Sequence, residues 1–211
     1  MNPIEKLLTG EMHMSEFLSR VKTDTELQEQ LRNLVPIDAV NYRDHELWRR
    51  YSYWALAQYD FDFLKRLLSF HKLDLSLGDN LNIFSSIRYF YCYSHPSVLC
   101  TTMYEDAFDL YLDVIKDCYD GPEVTLLVDS IIQSVLSLKT KKARIATAKT
   151  EIENHFHISD KKRPSWIHGP EWPMGQNSPM KFISQKRSKE RVEYIFEDFD
   201  TKEQRVIVQH Y

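Results

Sequence analysis

The sequence predicts an α+β chain: a mostly helical N-terminal part of antiparallel helix hairpins, then a small three-stranded antiparallel sheet. Three observations carry this expectation. Apolar residues recur at helical spacing from Asn2 to about His157, where only Gly10, Gly78, Gly121, Pro3, Pro36, Pro96 and Pro122 interrupt them. Four prolines (Pro164, Pro170, Pro173, Pro179) then crowd between Lys161 and Met180, where a helix cannot continue. Three strand-like runs separated by polar turns complete the chain. The expected boundaries are a helical domain over 1–158 and a Pro/Trp-containing strap with a β meander over 159–211. Helix hairpins of this kind are compatible with a HEAT-like stack, although no internal repeat accompanies them.

The elements follow in order. Thr23 and Glu26 have capping-box spacing ahead of a Leu27, Leu31, Leu34 stripe that Pro36 closes. Asp44 can cap a helix carrying Leu47, Tyr51, Trp54 and Ala55, and Asp60 the next, with Phe61, Leu64, Leu67 and Leu68 on one face. Asn80 or Asn82 can start a helix through Ile83, Ile87 and Tyr91 that ends near Pro96. Thr102 and Glu105 form a second capping-box pair before Ala107, Phe108, Tyr111, Val114, Ile115 and Cys118, and Gly121-Pro122 stops that helix. Two more helices are expected, from about Glu123 to Leu138 and near Ala143 to Phe156. Trp166 and Trp172 are too apolar to leave in water, at roughly 2–3 kcal/mol each, so the proline-rich stretch reads as an ordered strap packed on the helices. The strands are Met180 to Arg187, Val192 to Glu197 and Arg205 to Tyr211. Val192, Tyr194 and Phe196 alternate with Glu193, Ile195 and Glu197, as a half-buried strand should.

The 211 residues are 43% hydrophobic, enough for one substantial core, and the net charge of -4 argues against a general nucleic-acid binder. The basic runs Lys139, Lys141, Lys142, Arg144 and Lys161, Lys162, Arg163 flank helix ends, where cations complement the dipole or sit in loops. Cys92, Cys100 and Cys118 lack paired ligand spacing and read as small buried free thiols of a reducing compartment. No basic start followed by an apolar run and no span-length apolar stretch is present, so the cytosol is the expected location.

No constellation for catalysis stands out, and neither a cofactor nor a metal is expected. The five glycines never cluster, which removes phosphate-cradling loops and dinucleotide fingerprints. His155 and His157 come closest to a ligand pair, but two positions apart on a helix diverge by about 200°, and ordinary histidines at a helix end are favoured. His168 and His210 could each meet a carboxylate.

One charge pattern is unusual. Glu105, Asp109 and Asp113, continued by Asp117, recur every four residues, with Asp106 and Asp120 close by. On a helix they form one solvent-facing strip opposite Ala107, Tyr111, Val114 and Cys118. Asp113 and Asp117 also face the negative end of the dipole, and only Lys116 is near enough in sequence to relieve them. A solvated acidic face and a docking surface for a basic partner both fit.

The block Pro164-Ser-Trp-Ile-His-Gly-Pro-Glu-Trp-Pro-Met174 through Arg187, with Tyr194-Ile-Phe-Glu-Asp-Phe-Asp-Thr-Lys-Glu-Gln-Arg205, resembles the ending of small bacterial immunity proteins of polymorphic-toxin and contact-dependent growth inhibition systems. Gly78-Asp-Asn-Leu-Asn-Ile-Phe84 and Cys100-Thr-Thr-Met-Tyr-Glu-Asp-Ala-Phe108 are similar to that group as well. The resemblance implies a non-catalytic cytosolic protein that binds a cognate toxin domain. Many such toxins are nucleases with a basic groove, which an acidic strip can fill in place of phosphates. The expected contact set is Glu105, Asp106, Asp109, Asp113, Asp117 and Asp120. The alternative is an adaptor that holds a peptide in a helical groove or on the Trp166/Trp172 strap.

Overall fold

The computed structural model describes residues 2–34, 63–71, 73, 75–115, 119–158 and 162–211. Among them the fold is α+β, with eight helices followed by a three-stranded antiparallel sheet. The helices are α1 (Pro3–Thr9), α2 (Met14–Thr23), α3 (Thr25–Arg32), α4 (Phe63–Ser69), α5 (Leu77–Ser94), α6 (Met103–Ile115), α7 (Thr125–Val135) and α8 (Lys141–His155). The strands are β1 (Lys181–Arg187), β2 (Arg191–Glu197) and β3 (Gln204–His210). The chain forms two compact units, Met1–Phe108 and Asp109–Tyr211, so the division falls inside α6 and the composition change near residue 158 lies within the second unit. The helix expected after Asp44 lies outside the described residues, as do Asp60 and Phe61.

Helix starts in the first unit follow from local hydrogen bonding. Asn2 accepts from the Glu5 N–H at 2.8 Å and the Glu5 carboxylate reaches back to the Asn2 N–H, a capping box that includes Pro3 in the first turn. Gly10 ends α1 at φ 84°, a left-handed conformation that glycine adopts without strain. The cap of α3 is Asp24, whose carboxylate takes the Leu27 N–H, and not Thr23, which closes α2. Likewise Ser76 caps α5, and Asn80 and Asn82 lie within it. In both cases the capping residue is one whose extended backbone aims an oxygen at the free N–H groups, a geometry that spacing alone does not specify.

Ile4, Leu7, Leu8, Phe17, Leu18, Val21, Leu27, Leu31, Leu64, Leu67, Phe84 and Ile87 form the core of this unit, each below 4% exposed. Two long-range tyrosines are anchored in it. The Tyr104 ring lies 4.8 Å from that of Phe84, tilted by 39°, and its hydroxyl accepts the Met14 N–H. Burial pushes the Tyr104 phenol up to about 12. Tyr91 donates to Glu5 and accepts from Asn2, which ties α5 to the start of α1.

The second unit is built around its sheet. The order is β1-β2-β3 with a register shift between Phe182 and Ser184. The three strands fall within a residue of their sequence-based limits. On β2, Val192, Tyr194 and Phe196 are fully buried and their neighbours half-buried or exposed. The strap closes this face. Trp172 is fully buried between Tyr119, Phe156 and Phe196, and its indole N–H donates to the Met180 carbonyl at 2.8 Å. Trp166 lies 4.5 Å from the Tyr194 ring. Gln209, 2% exposed, spends its whole amide on the strap: Oε1 accepts from Ile167 and His168, and Nε2 donates to Gly169 O and Glu171. Such complete use is what burial of a polar group requires.

In this unit α7 is shorter at both ends than the spacing predicts, and α8 starts earlier. α7 ends at Val135, not Leu138, and α8 begins at Lys141 because Thr140 accepts the Ala143 N–H. Gly121, at φ 156°, permits a close approach: a Cβ there would sit 2.5 Å from the Trp172 nitrogen, which itself donates to the Asp120 carbonyl.

Candidate functional site: the acidic helix

α6 buries Tyr104, Ala107, Leu110, Val114 and Ile115, the i, i+3, i+4 stripe that makes it amphipathic. The carboxylates therefore lie away from the core, as their spacing predicts, but they are not equivalent. Glu105 is only partly exposed. Its Oε1 meets Arg88 of α5 at 2.7 Å, and its Oε2 is buried with no hydrogen-bond partner among the described residues. Asp106 is exposed and accepts from the Thr102 hydroxyl at 3.1 Å, so Thr102 pairs with Asp106 and not with Glu105.

In the second unit, Asp109 is exposed, whereas Asp113 lies 2.6 Å from Lys141 at the start of α8. The Asp113 carboxylate, with Asp109 adding to it, holds the Lys141 ammonium above its usual value. Asp117 and Lys116 lie outside the described residues. Asp120 is not on the helix. It accepts from the Gly121 N–H, from Thr125 Oγ1 and from the Tyr111 hydroxyl, and so shapes the turn into α7.

The carboxylates of the six-residue set thus have different surroundings. Glu105 and Asp113 are relieved by Arg88 and Lys141, cations distant in sequence that helix-local spacing does not reveal, and Asp120 is used internally. Tyr111, expected in the apolar stripe, is half-buried and turned to Asp120. What remains outward on α6 is Asp106 and Asp109, joined one turn on by Leu112, which is 54% exposed. Sequence reading passed over Leu112 because a leucine in an amphipathic helix is first assigned to the core. Its position three residues after Asp109 is the signal that places it on the outer side.

His157 and His168 are held by local contacts. His157, in a left-handed conformation at φ 53°, hydrogen-bonds Ser178 at 2.9 Å and stacks on Phe199 at 4.0 Å. Burial lowers its pKa, with Asp200 opposing. His168 donates to the His210 carbonyl at 2.6 Å, in place of a carboxylate. No group of three or more metal-ligating side chains occurs among the described residues. Cys92 and Cys100 are half-buried, not buried, and their sulfurs lie 3.6 Å apart, a pairing that their spacing did not suggest. Cys118 lies outside the described residues.

No helix among the described residues is long and apolar enough to cross a membrane. No family model, curated protein or solved structure matches the chain.

Proposed function

We propose that this chain is an immunity protein that binds and neutralises a cognate toxin domain in the cytosol, without catalysis of its own. The observation that carries the reading is the outer line of α6, where exposed Asp106 and Asp109 flank a path to exposed Leu112. Carboxylates held on a rigid helix steer a basic partner, and an apolar side chain among them gives a protein surface something to bury. A basic nuclease domain fits this chemistry, because its groove is built to receive phosphate charge. Glu105 and Asp113, each four residues from Asp109 in sequence, can exchange Arg88 and Lys141 for cations of the partner.

The test is co-expression with the toxin domain encoded immediately upstream, scored by cell growth and co-purification, followed by Asp106→Lys with Asp109→Lys. The expected result is rescue by the native chain in a 1:1 complex and at least about tenfold weaker binding by the double variant, at unchanged helix content. Equal affinities at matched salt would remove α6 from the contact. Absence of any complex would favour an adaptor instead. A cleft of about 420 Å³ between α7 and α8, lined by Leu127, Ile131, Val135, Leu138, Thr147 and Glu151, is where that adaptor would take a peptide. Trp172 offers no such platform, since it is fully buried.

A further inference from the structure

The turn after α5 brings two thiols together. α5 ends at Ser94, and the Val98 N–H donates to the His95 carbonyl across Pro96 and Ser97, which reverses the chain. Cys92 in the last turn of α5 and Cys100 just ahead of α6 therefore meet, with Sγ atoms 3.6 Å apart. Both side chains are half-buried and packed against the core of the first unit. The following residue is fixed as well: the Thr101 N–H donates to Leu8 O at 2.8 Å. A disulfide needs the sulfurs about 1.5 Å closer, from 3.6 Å to about 2.05 Å, which side-chain rotation within a short loop can supply. Two thiols without a third ligand in reach among the described residues make a poor zinc site.

We propose that Cys92 and Cys100 are a reversible redox pair, which closes to an intramolecular disulfide on exchange with a small-molecule disulfide and locks the α5–α6 connection. The exchange balances without a further reagent. The Cys100 thiolate attacks one sulfur of the small disulfide, and a first small thiol leaves. The Cys92 sulfur then attacks Cys100 Sγ in the mixed disulfide, expelling the second small thiolate, which takes up the Cys92 proton. Two electrons pass to the small disulfide and two small thiols are released. Burial, and then the neighbouring Cys100, push the Cys92 thiol up to about 11. The inference is independent of toxin binding.

The test uses the full chain carrying Cys118→Ser, equilibrated with oxidised and reduced glutathione. The expected product is a protein lighter by two hydrogens, with a non-reduced peptide that links Cys92 to Cys100 and releases both on reduction. The disulfide-forming tendency, expressed as an effective thiol concentration, should be at least about tenfold higher in the folded chain than in urea. Cys92→Ser and Cys100→Ser, each in the Cys118→Ser background, should stop at a mixed disulfide with glutathione. Separate glutathione adducts on both thiols, or an effective concentration no higher folded than unfolded, would overturn the proposal.

Discussion

Replacing Trp172 with alanine tests the claim that the strap is part of the core of the second unit. The ring is fully buried, with Phe156 at 4.9 Å, Phe196 at 5.3 Å and Tyr119 at 5.8 Å between centroids. Its removal deletes the largest fully buried side chain among the described residues and leaves a cavity, a change that costs about 3–5 kcal/mol. The Met180 carbonyl also loses the indole N–H. Trp172→Phe separates the two effects, since it keeps most of the apolar volume and strands that carbonyl, for about 1–3 kcal/mol. Domains of this size hold about 5–15 kcal/mol in all, so the alanine variant should be near the limit of folding. With a urea slope of about 1.5 kcal/mol per molar, the far-UV dichroism midpoint should fall by roughly 2–3 M for alanine and by about 1–2 M for phenylalanine. An alanine variant whose midpoint moves by less than about 0.5 M would show that the strap is not integral to the unit.

Two further predictions concern single side chains. Asp24→Ala should lower stability by about 1 kcal/mol, because it removes the α3 cap, while Thr23→Ala should change it by less than about half of that; equal losses in urea titrations would point back to Thr23. Asp198 accepts N–H groups from Thr201, Gln176 and Asp200, contacts that hold its carboxyl below the usual range. A depressed folded value means that this stabilisation is present above about pH 4 and disappears as acid protonates the folded carboxylate. Asp198→Asn should therefore flatten the acid limb of the urea midpoint between about pH 2 and pH 5, and an unchanged limb would contradict the assignment.

Much of the fold is legible in the sequence, because period-two alternation in β2 and proline crowding before β1 are local signals. Caps were less accessible. Thr23, Asp24, Ser76, Asn80 and Asn82 all have the right chemistry, and only backbone conformation decides which one caps. The candidate site was legible as a helix face and not as a charge distribution. Arg88 is 17 residues from Glu105, and Lys141 is 28 from Asp113 (141 - 113), so spacing on α6 cannot report them. The Cys92–Cys100 proximity depends on the turn at Pro96, and the full use of Gln209 on contacts to residues about forty positions earlier.

Glu123 illustrates what such separations mean for assembly in time. Its carboxylate grips the Arg205 guanidinium with two bonds at 2.8 and 2.6 Å and also takes the Met174 N–H, partners 82 and 51 residues later in the chain. The arginine in turn holds that carboxyl below its ordinary range. At a synthesis rate of about 5–20 residues per second, Glu123 waits roughly 4–16 s for Arg205 to be made. The hairpins β1-β2 and β2-β3 close between neighbours, whereas the β3 clasp on the start of α7 is among the last contacts to form. Until then β2, which carries Phe196, has no partner on its β3 side, and a nascent chain stalled before β3 exposes an unpaired strand edge.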